Sequence, residues 1–136
     1  MNIRALALAA LLAGCSPAKR PAVEDLRGRE ELSALQLGAI RGTRDGERLG
    51  VEAMFTGSAA PLTIQMTFAV GSPTTLRAGA WQWKDSKGTV AARSVTFLGG
   101  QDGPPSIGGT FDLLGPDGAP WYRVRIPLSV LKTRLP

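Results

Sequence analysis

Between residues 62 and 70 the chain alternates strictly. Leu62, Ile64, Met66, Phe68 and Val70 are apolar, and Thr63, Gln65 and Thr67 between them are polar. Successive side chains of a strand point to opposite faces, so this pattern describes one buried face and one wet face. A helix is excluded, because its apolar stripe recurs every three or four residues. One such strand is unstable by itself and requires neighbours of the same kind.

The flanking sequence supplies them. Residues 47–56 set Leu49, Val51, Ala53 and Phe55 against Arg48 and Glu52. Residues 35–43 precede them across Arg44-Asp45-Gly46, where Asp-Gly suits the positive-φ positions of a tight hairpin. Residues 119–131 set Tyr122, Val124, Ile126, Leu128 and Val130 opposite Trp121, Arg123 and Arg125. Gly115-Pro116-Asp117-Gly118 forms the preceding turn, with residues 106–114 (Ile107, Phe111, Leu113) as the other arm. Residues 77–84 and 89–98 flank Asp85-Ser86-Lys87-Gly88, which reads as a third turn. Pro127 lacks an N–H and predicts an edge position or a bulge in the last strand.

Seven strands with short connections predict an all-β fold. The expected architecture is a single antiparallel β-sandwich, immunoglobulin-like or transthyretin-like, with a small β-barrel as the alternative. The lone Cys rules out the Cys-Trp-Cys pattern of true immunoglobulin domains. Residues 23–35 are charge-dense, with Leu26, Leu32 and Leu35 giving a poor helical stripe broken by Gly28. They predict a frayed short helix or a disordered continuation, so the domain is expected to span 35–136.

The start of the chain differs in kind. Arg4 precedes nine apolar residues, 5–13, followed by Gly14 and Cys15. The run is shorter than the ~20 residues needed to cross a bilayer and has the form of a secretory signal. Leu12-Ala13-Gly14-Cys15 resembles the lipobox of bacterial lipoproteins. That resemblance implies a signal peptide over 1–14 and diacylglyceryl attachment at Cys15, usually with acylation of the new amino terminus. It also implies a lipid anchor to the cell envelope on the periplasmic side. Ser16, where an Asp would signal inner-membrane retention in enteric-type bacteria, implies the outer membrane. Residues 15–34 then form a lipidated start and flexible tether, in which Lys19 and Arg20 either touch anionic headgroups, for about 1 kcal/mol each, or are plain solvated linker.

The chemistry of the domain is sparse. The sequence has no His and one Cys, which removes the commonest neutral-pH base, the commonest metal ligand and any internal disulfide. A Ser-Lys dyad around Lys84, Ser86 and Lys87 sits in a solvated turn, where Lys is not activated. Glu47, Glu52, Asp45, Asp102, Asp112 and Asp117 are the carboxylates, and Asp45, Asp102 and Asp117 suit turn roles. No catalytic residue, metal or cofactor is expected, and dispersed basic residues argue against nucleic acid.

Three tryptophans remain. Trp81 and Trp83 share a strand face and are expected to be core. Trp121 alternates outward with Arg123 and Arg125, an aromatic and basic platform for a partner. The predicted function is a non-catalytic, membrane-anchored lipoprotein that binds or scaffolds an envelope protein or glycan. The alternative is a small β-barrel inhibitor or ligand-binding lipoprotein, for which residues 99–105 are the candidate loop.

Overall fold

The computed structural model describes residues 22–28, 34–57, 60–99 and 104–133. Cys15, the leader, the residues up to 21, and Asp102 with its neighbours 100–103 lie outside them. The described residues contain no helix. They form β1 (Val23–Asp25), β2 (Gln36–Asp45), β3 (Arg48–Thr56), β4 (Leu62–Ala69), β5 (Thr75–Trp83), β6 (Ser86–Leu98), β7 (Ser106–Leu114), β8 (Pro120–Val130) and β9 (Lys132–Thr133).

These strands make one curled sheet in the order β1-β8-β7-β6-β5-β4-β3-β2-β9. From β2 to β8 it is an antiparallel meander, as short connections require. Only Leu131 separates β8 from β9, so one continuous segment carries both ends of the sheet. Its first part pairs with β1, through Val23↔Val124 and Asp25↔Tyr122. Its last residues run parallel to β2, through Arg41↔Lys132 and Gly42↔Thr133. Gly42 lets the seam close tightly, because a Cβ there would lie 2.8 Å from Cδ1 of the buried Leu131 and 3.2 Å from the Gly50 carbonyl oxygen.

The core lies between the facing halves of the curl. Leu49, Val51, Ala53 and Phe55 of β3 and Leu62, Ile64, Met66 and Phe68 of β4 are all buried, on the faces their alternation predicts. Phe68 meets Phe111 of β7 edge-on across the interior, with ring centroids 6.1 Å apart. Trp81 and Trp83 of β5 are buried and bracket Tyr122 of β8 at 5.5 and 6.2 Å. Burying each such ring contributes at least about 2 kcal/mol. Their indole nitrogens do not go unmet: Trp81 Nε1 donates to the Leu114 carbonyl at 2.8 Å and Trp83 Nε1 to that of Ala60 at 3.1 Å.

The structure corrects the sequence reading in three places. Val23–Asp25 is a strand on β8 rather than a helix or tether, so the sheet begins ahead of the expected boundary at Leu35. The third hairpin turns at Lys84-Asp85, with Trp83↔Ser86 as its closing pair, and Gly88 lies within β6 opposite Trp81. Lys84 takes the left-handed φ of 55°, and its ammonium stands 4.3 Å from the Trp83 ring. Finally, Leu128 and Val130 are exposed rather than core. The β7–β8 register shifts between Ile107↔Ser129 and Gly109↔Ile126, a bulge at Pro127 that reverses the phase of the strand.

Candidate functional surface

Arg123 and Arg125 share the outer face of β8, Trp121 at the neighbouring register shift packs back on the core with its ring 6.2 Å from Trp81, and β1 with its following turn folds against all three. Asp25 Oδ1 accepts from the Arg27 N–H at 2.9 Å, and the Leu26 N–H donates to the Trp121 carbonyl at 2.9 Å. That turn lays the Arg27 guanidinium 3.8 Å from the Trp121 ring, where its Nη2 also donates to the Tyr122 hydroxyl at 3.0 Å. Gly115 lies under the same ring, where any Cβ would collide with the indole. Trp121 is therefore half-buried, and its exposed part is shared with an arginine.

The two arginines are ion-paired. Arg125 Nη2 meets Glu24 Oε1 at 3.2 Å, joining β8 to β1. Arg123 Nε donates to Asp112 Oδ1 at 2.8 Å, and Arg93 Nη1 stands 3.4 Å from Asp112 Oδ2. Asp112 points outward from β7 yet is buried at 6% exposure, because these two side chains cover it. Buried Arg27 Nε and Arg125 Nη1 have no hydrogen-bond partner among the described residues.

Burial by itself would raise the Asp112 carboxyl. The hydrogen bond and charge of Arg123, with those of Arg93, outweigh it and hold the group below its ordinary value of 3.8. The stability supplied by the charged form is complete above the unfolded-state pKa and is lost as pH falls through the folded one. Asp112→Asn is expected to cost about 1–2 kcal/mol at pH 7, discounted because both arginines are partly exposed. Urea unfolding from about pH 5 down to pH 2 should show a shallower acid loss in the variant than in the wild type. Parallel acid limbs would mean that Asp112 carries no linked charge.

A second feature lies where the sheet splits. β5 and β6 pair only from Trp83↔Ser86 to Ala80↔Thr89. Thr75–Gly79 go on pairing with β4, and Val90–Leu98 with β7, but the two stretches do not pair with each other. Register shifts flank the split, between Thr67 and Phe68 on β4 and between Ala92 and Ser94 on β6, and bulges of this kind bend strands apart. The Val90 side chain also fills the space beside Gly79, its Cβ 2.7 Å from where a glycine Cβ would stand. The opening, of about 470 Å³, is lined by residues 73–78 and 90–95 and carries Arg77 and Arg93 at its rim. Two strand edges thus face each other with main-chain donors and acceptors unpaired across the gap.

A third feature is an open groove of about 1080 Å³ over the outer face of β2–β5. Its walls are the cross-strand rows Arg41-Glu52-Gln65-Ala80 and Thr43-Gly50-Thr67-Ala78. Ala39, Gly50, Ala78 and Ala80 leave it shallow, and Arg41 Nε is held by Glu52 Oε1 at 2.9 Å. Among the described residues no group of three or more His, Cys, Asp or Glu side chains could hold a metal. Asp117 fills the expected turn role, accepting from the Ala119 N–H at 3.1 Å. The split and the ion-paired ladder escape sequence reading, since both depend on register between distant strands. No family model, curated protein or solved structure matches the chain.

Proposed function

We propose that the chain is a non-catalytic lipoprotein of the bacterial cell envelope, anchored through Cys15 to the periplasmic face of a membrane, the outer one by Ser16. It binds or scaffolds another envelope component. The lipobox-like Leu12-Ala13-Gly14-Cys15 supports the anchor. The observation that carries the binding role is the split between β5 and β6. An extended partner segment lying in it gains main-chain hydrogen bonds from an edge on either side, while Arg77 and Arg93 favour acidic residues beside it. The Trp121–Arg123–Arg125 face is the second contact, supported by the two arginines that stand partly exposed on it, at 25% and 28%.

Metabolic labelling with a radioactive fatty acid is expected to mark the wild type and not Cys15→Ala, which should leave the membrane fraction. A label surviving the substitution would sink the anchor. A photo-crosslinking side chain at Arg77 should join a discrete envelope protein, and one at Lys87, away from the split, should not. Crosslinks of equal yield at both positions would remove the split from the binding role. Trp121→Ala should weaken the Arg77 crosslink only if both contacts serve one partner.

The groove over β2–β5 favours a second reading, a small barrel that binds a ligand or inhibits another protein on its outer face. The interior is filled by Trp81, Tyr122, Phe55, Phe68 and Phe111, so the outer face is where a ligand has room.

A further inference from the structure

We infer that one end of the barrel, the end carrying Leu98, Leu128 and Val130, lies against the lipid surface. The inference rests on the anchor proposed at Cys15. These three are the large apolar side chains that stand exposed among the described residues, at 57%, 49% and 59%. They are neighbours. Leu98 pairs with Ser106 and Ser106 with Val130, which puts Leu98 and Val130 on either side of Ser106 in one outer row. Leu128 follows in the next row, its main-chain N 2.7 Å from where a Cβ on Gly108 would stand. The bulge at Pro127 turned Leu128 and Val130 outward, so this patch is a product of the same phase reversal that removed them from the core.

The chain's point of entry identifies the occupant. β1 runs antiparallel to β8, so the path backwards from Asp25 through Val23 leads towards the later residues of β8. The Ala22 carbonyl accepts from the Arg125 N–H at 2.9 Å, beside Ile126 and two positions before Pro127. Traced backwards, the described chain therefore ends at Ala22 heading for the end of the barrel that bears the patch. Residues 16–21 separate Ala22 from Cys15, and a span of seven residues extends at most about 25 Å. A domain held that close meets the bilayer repeatedly, so even a weak apolar contact is occupied much of the time. Contact at this end turns the 84–85 and 115–119 turns, with Trp121, away from the membrane.

The test uses the acylated full chain in vesicles of phosphatidylethanolamine and phosphatidylglycerol. Acylation blocks the chain's one natural thiol, so a cysteine placed at Ser106 or at Lys87 takes a polarity-sensitive dye uniquely. Dye at Ser106→Cys is expected to shift to the blue and brighten several-fold on reconstitution, and dye at Lys87→Cys is not. Adding Leu98→Ser, Leu128→Ser and Val130→Ser should abolish the Ser106→Cys response while the acyl mass, the vesicle binding and the near-ultraviolet circular dichroism stay unchanged. An acylated, vesicle-bound protein whose Ser106→Cys dye does not respond overturns the orientation and leaves the anchor standing. An unmodified Cys15 overturns both. A response that appears without vesicles and rises with protein concentration assigns the patch to a second copy of the chain and overturns the lipid contact.

Discussion

Trp81→Ala is expected to lower the unfolding free energy by about 4 kcal/mol, close to the whole stability of a small domain. Trp81 is 2% exposed and packs against Tyr122 edge-on at 5.5 Å and against Trp121 at 6.2 Å, so its loss opens a cavity under three strands. It also strands the Leu114 carbonyl, which receives the indole N–H at 2.8 Å, and an unmet buried acceptor costs about 1 kcal/mol or more. Trp81→Phe keeps a six-membered ring in the core but loses the pyrrole part with its N–H, so it should cost about half as much. Urea midpoints followed by near-ultraviolet circular dichroism give both values. A Trp81→Ala midpoint within error of the wild type would remove Trp81 from the core.

Gly88→Ala should be nearly as damaging, although it adds only one methyl group. A Cβ at position 88 falls on the Leu114 carbonyl oxygen and lies 2.8 Å from Trp81 Nε1, the acceptor and donor of the bond just described. Neither neighbour can retreat without giving up that bond. Overpacking of this order costs about 3 kcal/mol. The double variant Trp81→Ala/Gly88→Ala gives the sharper measurement. With the indole gone, the bond that alanine would break is already lost, so the two costs should fall short of additive by about 1 kcal/mol. Full additivity would mean that Gly88 serves the backbone of β6 and not the tryptophan.

Gly88 also shows where sequence reasoning stops. Asp85-Ser86-Lys87-Gly88 has the composition of a turn, and that composition outweighed the apolar alternation around it. The structure turns two residues earlier because Trp83 and Ser86 close the hairpin, and the glycine serves a side chain on the next strand. Period-two patterning placed the seven long strands well, since each buries one face in the same core. Val23–Asp25 gave no such signal, because three residues with two charges cannot alternate visibly. The outward arginines of β8 were legible as a face, but their partners were not. Asp112 and Glu24 reach Arg123 and Arg125 only through pairing set elsewhere in the chain. Pro127 predicts an edge position or a bulge, and only the bulge, carried through to the phase of Leu128 and Val130, exposes both residues.

The closing segment has a consequence in time. The hairpins from β2 to β8 join near neighbours and can form one after another. The two seams cannot: Val23 pairs with Val124, and Arg41 lies 91 positions from its partner Lys132. Both seams wait for the stretch from Pro120 to Thr133, and loop-closure entropy makes them the last contacts to pay their way. Until Leu131 settles beside Gly42, β2 offers the main chain around Arg41 to any extended segment that arrives first. The protein is thus most open to mispairing late in folding, when nearly all of its sheet already exists.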